Sequence, residues 1–407
     1  MKIGILTADS NGCFPVPASK GGAVSTLIES LIRENSEKGL AELTIFSYYD
    51  EKAYKKSRKY SNVNFIWVKV PRYIKKLDSL FYKIIKKKSA VKAISYKSIF
   101  SLIYYIKYVS KYLKKNRFDK LILENNIPIA WIIQLSHYSG EYYYHLHNVP
   151  RINAKCKRIF DKCTGYLCVS KYVARQIESK NNPIGPVDSE KVKVVYNAID
   201  TDLFRPYSVA HKNKIRQKIR EQYHIDNNDK IILFTGRISK EKGLDVLLDA
   251  LKEITIDNYE LLIVGGVMHG SNNKDKYFDL INKKVKPILS NVMFTGYVDH
   301  NRLPDFYNVA DVTVLPSIWE EPAGLTMIEA LICGSPLITT NSGGIGEYVD
   351  HKAVVIERDA NIRVNLAEQI LNVIENKYNY NEKDQVNYIK QNFSEKNYLE
   401  KFIDSIY

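Results

Sequence analysis

The residues best suited to chemistry lie in two connections of the second half of the chain. In KIILFTGRISKEKGLDVLLDAL an apolar run ends at Phe234 or Thr235, and Gly236 allows a tight turn. Arg237 and Lys242 then flank the passage into a helix opening near Gly243 or Leu244. Two cations beside a helix N-terminus suit a diphosphate, because backbone N–H groups and the helix dipole add to the side-chain charge. In LPSIWEEPAGLTMIEALICGSPLITT a strand ends at Leu315–Pro316, and a polar loop carries Ser317, Glu320 and Glu321. Ala323–Gly324 lead from this loop into a helix bearing Glu329. The spacing places Glu321 in the loop and Glu329 about two turns away. An ionised carboxylate accepts two donors at once, which suits the vicinal hydroxyls of a sugar or ribose. Free N–H groups at Gly324 and Leu325 offer a second anion site. The plain alternatives are surface cations after a strand for Arg237 and Lys242, and a solvated helix acid for Glu329.

These connections need a scaffold of strands and helices. Short apolar runs alternate with amphipathic stretches along the whole chain, the pattern of parallel-sheet α/β construction. IGILTA, LTIFSY, NFIWVKV, KLILEN, YYYHLH and GYLCVS read as strands in the first half, and residues 22–38 as the clearest helix. KIILFTG, YELLIVGG, NVMFTGY, VTVLPS and SPLITT repeat the logic in the second half. The reading is two nucleotide-fold domains with a boundary near Asp200: residues 1–200, residues 201–388, and a C-terminal helix in 389–407 crossing back to the first domain. Two such domains imply a cleft at their strand ends, where these sheets bind ligands.

The 407 residues suffice for two cores, and 45% hydrophobic with 26% charged residues fits a folded globular protein. No apolar run is long enough to predict a membrane-spanning helix. MKIGILTADS reads as a buried first strand and not as a signal peptide. Cys13, Cys156, Cys163, Cys168 and Cys333 form no CxxC pair, so reduced core thiols in a cytoplasmic setting are expected, without structural zinc. The net charge of +15 is concentrated: residues 52–120 hold 21 Lys and Arg against Asp78 and Asp119, and the remainder nets −4. Within this stretch Ile74, Leu77, Phe81, Ile84 and Ile85 recur at helical spacing among lysines, and IFSLIYYIKYVSKYLKK repeats the theme. Such helices suit an anionic membrane surface. The alternatives are a solvated face over the sheet and, last, nucleic acid, for which no recognition motif is present.

The run from Lys230 to Glu347 closely resembles glycosyltransferase family 4, the large retaining group with the GT-B fold. GRISKEKG, FTGYV, PSIWEEPAGLTMIEA with its Glu-x7-Glu pattern, and SGGIGE carry the resemblance. KGGA at 20–23, HN at 147–148, CVSKYV at 168–173 and NAIDTDLFRP at 197–206 follow the same order upstream. Ala323 stands where the family usually has Phe, and Ala198 where Gly is commoner; neither change removes a charged contact. The resemblance implies an α/β chain of two Rossmann-like domains facing across a cleft, the first binding acceptor and the second the nucleotide-sugar.

It also implies roles. Arg237 and Lys242 neutralise the donor diphosphate, Glu329 holds the ribose hydroxyls, and Glu321 those of the transferred sugar. Gly21 and Gly22 let a loop close on the phosphates, and Tyr297, Val298, Ala323, Gly324 and Leu325 complete the nucleotide site, largely through backbone. His147 faces the donor sugar, with a buried structural histidine as the alternative; His145 is expected to point to the opposite side if YYYHLH is extended. The implied reaction is front-face transfer of a hexose, with UDP-glucose the first choice of donor and dTDP-rhamnose or GDP-mannose the alternatives. The departing diphosphate takes the acceptor's proton, and no metal or cofactor is expected. The acceptor is a saccharide or lipid-linked saccharide at the inner membrane face, on the way to a bacterial capsule or related glycan. A non-catalytic GT-B partner subunit is the rival reading.

Overall fold

The computed structural model describes the chain apart from residues 9–14, 20–21, 89–95, 255, 257, 267–275 and 379, and the side chains at 88 and 276. Two compact units emerge: Met1–Asn197 with Glu395–Tyr407, and Ala198–Ser394.

The first unit is built on β1 (Lys2–Thr7), β2 (Glu42–Tyr48), β3 (Asn64–Val68), β4 (Lys120–Glu124), β5 (Glu141–Leu146), β6 (Gly165–Cys168) and β7 (Val192–Val194). They pair in the order β3-β2-β1-β4-β5-β6-β7, and every pairing is parallel. The second unit holds β8 (Lys230–Thr235), β9 (Tyr259–Val264), β10 (Val292–Gly296), β11 (Val312–Leu315), β12 (Leu337–Thr340) and β13 (Val354–Ile356), in the order β10-β9-β8-β11-β12-β13. Its pairings are likewise parallel. The strands are runs of Ile, Leu and Val because helices cover both faces of a parallel sheet, leaving no polar side to alternate with. In the second unit Ile232, Phe234, Leu261 and Ile263 pack with Leu244, Leu247, Leu248 and Leu366 from the flanking helices.

In both sheets the strand order reverses beside the first strand, between β1 and β4 and between β8 and β11. Helices leave such a point to opposite faces, and the strand C-termini there form a natural crevice. Glu124 ends β4 and Leu315 ends β11, so the elements holding the candidate residues finish at these reversals.

All described cysteines, Cys156, Cys163, Cys168 and Cys333, are buried free thiols; Cys13 lies outside the described residues. Among the described residues no helix is long and apolar enough to cross a membrane. The basic stretch includes two long helices, Arg72–Lys88 and Ile99–Leu113, joined through Asp78, whose carboxylate accepts from the N–H groups of Phe100 and Ser101. The apolar residues of the first helix divide into two rows. Ile74 and Phe81 turn inward, Phe81 meeting Phe100 edge-on, whereas Tyr73, Leu77, Leu80 and Ile84 form an exposed row.

Candidate functional site

In the second unit the site is built where three neighbouring strands stop. Gly236, Gly265 and Gly296 follow or end β8, β9 and β10 with φ of +136°, +144° and +72°. A Cβ on Gly265 would stand 1.9 Å from the carbonyl oxygen of Gly236, so only glycine lets these two chain ends approach. After β8 the chain makes the short turn Lys240–Lys242 and reaches Gly243, φ +69°, before the helix Leu244–Leu251. A side chain at Gly243 would collide with the Pro316 carbonyl at 1.9 Å, which locks this turn against the loop after β11.

That lock brings the expected residues together. Lys242 Nζ lies 2.5 Å from Glu321 Oε1, and Ser317 Oγ is 2.7 Å from the same oxygen. Glu321 is buried and its backbone carbonyl accepts from the Gly344 N–H at 2.7 Å. Thr235, Lys242, Leu315, Ser317, Thr326 and Met327 line a small pocket between the two strand ends. Gly324 precedes the helix Leu325–Ile332, whose first turn receives no side-chain cap, and Ala323 is partly exposed beside it. Arg237 is half exposed, 3.7 Å from Glu241. Tyr297 and Val298 follow the edge strand β10, and Tyr297 is exposed.

Glu329 sits on the buried face of its helix, and both of its oxygens are engaged. His300 Nε2 is 2.9 Å from Oε1, and the Tyr307 hydroxyl donates to Oε2 at 2.9 Å. Tyr307 also meets the Thr235 hydroxyl at 2.8 Å, which ties Glu329 to the end of β8. Burial works to lower the His300 pKa, but the hydrogen bond and charge of Glu329, with Asp200 behind, raise it. The sequence marks Thr235 only as a strand end and Ser317 only as a loop residue, and it does not single out His300 or Tyr307. The one available signal was that His300 closes the FTGYVDH segment, directly after the expected nucleotide residues.

In the first unit His147 follows the end of β5, its N–H donating to Asn125 Oδ1 at 3.1 Å. Its Nε2 lies 2.9 Å from Glu124 Oε2, and His145 Nδ1 lies 3.1 Å from the same oxygen. The expectation that His145 faces away is therefore corrected: the two rings are 4.1 Å apart on one carboxylate. Residues two apart on an extended chain share a face, which is what alternation requires. Burial works to raise the Glu124 carboxyl, yet the two imidazoles hold it down at about 2. Burial, then the neighbouring His145, lower His147 to about 4 against the opposing pull of Glu124. The arrangement is an ionised carboxylate with a neutral His147 donating to it. Among the described residues this is the group that could hold a metal ion. His145 Nε2 and His147 Nδ1 are buried without hydrogen-bond partners, whereas metal-bound imidazoles ordinarily donate their outer N–H. Gly22, φ +113°, precedes the helix Ala23–Lys38, and Gly21 lies outside the described residues. A cavity of about 340 Å³ lies near the ends of β2 and β3, with Tyr48, Asp50, Lys75, Tyr82 and Lys97 in its wall.

Residues 215–393 match the family model described as Glycosyl transferases group 1. The chain is 26% identical over 365 residues to the putative glycosyltransferase YtcC of Bacillus subtilis, covering 88% of this chain and 80% of that one. It is 27% identical over 359 residues to spore coat protein SA of the same organism, covering 86% and 83%. Among solved structures, Alr3699/HepE of Anabaena in complex with UDP and glucose superposes with a TM-score of 0.70 at 17% identity, covering 100% and 99%. WaaG, a glycosyltransferase involved in lipopolysaccharide biosynthesis, gives 0.67 at 15% identity, covering 99% of each chain. The fold is GT-B. The family match and the relatives together support a group 1 glycosyltransferase.

Proposed function

We propose that this chain is a retaining, metal-independent hexosyltransferase whose second unit binds a nucleotide-sugar, with UDP-hexose such as UDP-glucose as donor. The observation that carries the reading is the meeting of Lys242 with Glu321 at the sheet reversal, beside the uncapped helix that bears Glu329. A diphosphate there meets the Lys242 ammonium, the Arg237 guanidinium and the first-turn N–H groups at Gly324 and Leu325. Lys242 is already held by Glu321, so the bound phosphate shares a cation whose position is set in advance. Glu321 is left to receive hydroxyls of the transferred sugar, and Glu329 those of the ribose. Anabaena Alr3699/HepE was solved with UDP-glucose, which favours uridine among the donors.

Catalysis in this reading is positioning plus stabilisation of charge on the leaving diphosphate, which itself takes the acceptor's proton. His147 is kept neutral on Glu124, so the first unit brings no imidazolium of its own at this position. The acceptor is a saccharide or lipid-linked saccharide of a bacterial surface polysaccharide. The cavity walled by Tyr48, Asp50, Lys75, Asp78, Tyr82 and Lys97 mixes rings, cations and carboxylates, a lining that suits the faces and hydroxyls of a saccharide. The exposed row Tyr73, Leu77, Leu80 and Ile84, flanked by Lys76, Lys83 and Lys87, supports contact with the anionic inner face of a membrane.

The test is a thermal-shift panel of UDP, dTDP, GDP and ADP in EDTA, on wild type and Lys242→Ala. A ligand at about 100 times its Kd stabilises the fold by about 2.7 kcal/mol. A shift with UDP that the variant loses is the expected result. A shift with GDP or dTDP alone reassigns the donor, binding only after Mn²⁺ is added removes metal independence, and no shift at all sinks the enzyme reading.

A further inference from the structure

Resting on the donor-site reading above, we propose that His300 and Tyr307 act as positioning residues that set Glu329 to read the ribose, so that the site selects ribonucleoside over 2′-deoxyribonucleoside diphosphates.

An ionised carboxylate offers about four acceptor positions. On Glu329 the Tyr307 hydroxyl takes one on Oε2 and His300 Nε2 takes one on Oε1. One position per oxygen remains, the number that a vicinal pair of hydroxyls needs. The two protein donors differ in what anchors them. Tyr307 is fully buried and the hydroxyl it gives to Glu329 also meets the Thr235 hydroxyl at 2.8 Å, so it is a rigid part of the second-unit core. His300 is half exposed, but its ring packs against the buried Phe204 with centroids 5.0 Å apart. Glu329 is thus gripped from the core by one donor and from the solvent side by the other, with little freedom to rotate. A carboxylate held in this way pays no reorientation cost when a diol arrives.

His300 also sits one turn beyond Tyr297 and Val298, at the end of the loop that follows β10. One short segment therefore supplies both the expected nucleotide residues and the group that orients the ribose carboxylate. The charge on Glu329 favours the protonated ring, which strengthens the pairing on the open side. A donor lacking the 2′-hydroxyl leaves one lone pair of a desolvated carboxylate without a partner, and such losses are heavily penalised. The same chemistry disfavours thymidine nucleotides of the deoxy series.

Titration calorimetry with UDP and 2′-deoxy-UDP on the full chain decides the matter. Wild type is expected to bind UDP about tenfold or more tightly than the deoxy compound, the loss of one hydrogen bond to a charged group. His300→Ala is expected to weaken UDP several-fold and leave 2′-deoxy-UDP nearly unchanged, narrowing the ratio, and His300→Gln, which restores an N–H donor, to recover it. Equal affinity of wild type for both nucleotides overturns the inference while leaving the donor site standing. An equal loss for both ligands in His300→Ala, with no recovery in His300→Gln, also overturns it by reducing His300 to a structural group. Failure of wild type to bind UDP at all overturns the donor reading and this inference with it.

Discussion

Each unit of the molecule holds an imidazole against a buried glutamate, and the two imidazoles are driven in opposite directions. In the first unit two histidines share one oxygen region of Glu124; burial and the ring of His145 lower His147 to about 4. In the second unit His300 has Glu329 without a competing histidine, and burial is outweighed by that hydrogen bond and charge, so its pKa rises. The same pair of side-chain types thus gives a neutral ring in one place and favours a cation in the other. The difference is one of competition: a carboxylate shared with a second ring does not outweigh the burial of His147, whereas Glu329, serving one ring, outweighs that of His300.

The contrast can be pressed in order of effect. The largest change is expected from Lys242→Ala, which takes a cation from the second unit and strips Glu321 of its partner. Turnover with a nucleotide-sugar should fall on the order of 100-fold or more, and a variant near wild-type kcat would end the claim that this unit works through its cations. Next, Glu124→Ala leaves two buried imidazoles without their acceptor, and urea unfolding should show a loss of about 3–5 kcal/mol. His300→Ala, opening a half-exposed pair, should cost no more than about 1 kcal/mol. Comparable losses in the two variants would mean that burial does not distinguish the sites.

The pH dependences should have opposite signs. His147 has a folded pKa of about 4 against an ordinary 6.5, so the unfolded chain binds more protons between those values. Its contribution is present above pH 6.5 and is lost as pH falls toward 4. His300 has a raised folded pKa, so its contribution is complete below 6.5 and is lost as pH rises through the folded value. The Tm deficit of His300→Ala should therefore be larger at pH 6 than at pH 9. A deficit independent of pH would show that the pairing, not the charge, stabilises. The smallest effect is salt: 1 M NaCl should shrink the deficit of His300→Ala and leave that of Glu124→Ala in place, since buried pairs are weakly screened.

How far the sequence reaches is plain from particular elements. All eleven strands read from apolar runs are present, because a strand buried on both faces cannot be written in polar residues. β7 and β13 were not read as strands. Each has three residues and closes one edge of its sheet, where one neighbour supplies the pairing and local sequence signals little. The turn at Gly243 and the exposed Arg237 stood in the sequence as a strand-to-helix passage with cations. Glu124 and His300 did not stand out, since a Glu ending a strand and a His in a loop are ordinary until their partners are known.

The sequence by itself determined the layered α/β class, the tight turn at Gly236, the helix start at Gly324, and the concentration of positive charge in residues 52–120. Only the tertiary structure decided which charge meets which. Lys242 and Glu321 are 79 residues apart, and Glu329 and His300 are 29 apart. Glu124 reaches back to two histidines 21 and 23 residues beyond it. Periodicity and propensity act over a few residues, whereas the Lys242–Glu321 and Glu124–histidine pairings follow from strand order, which brings the ends of β8 and β11, and of β4 and β5, side by side.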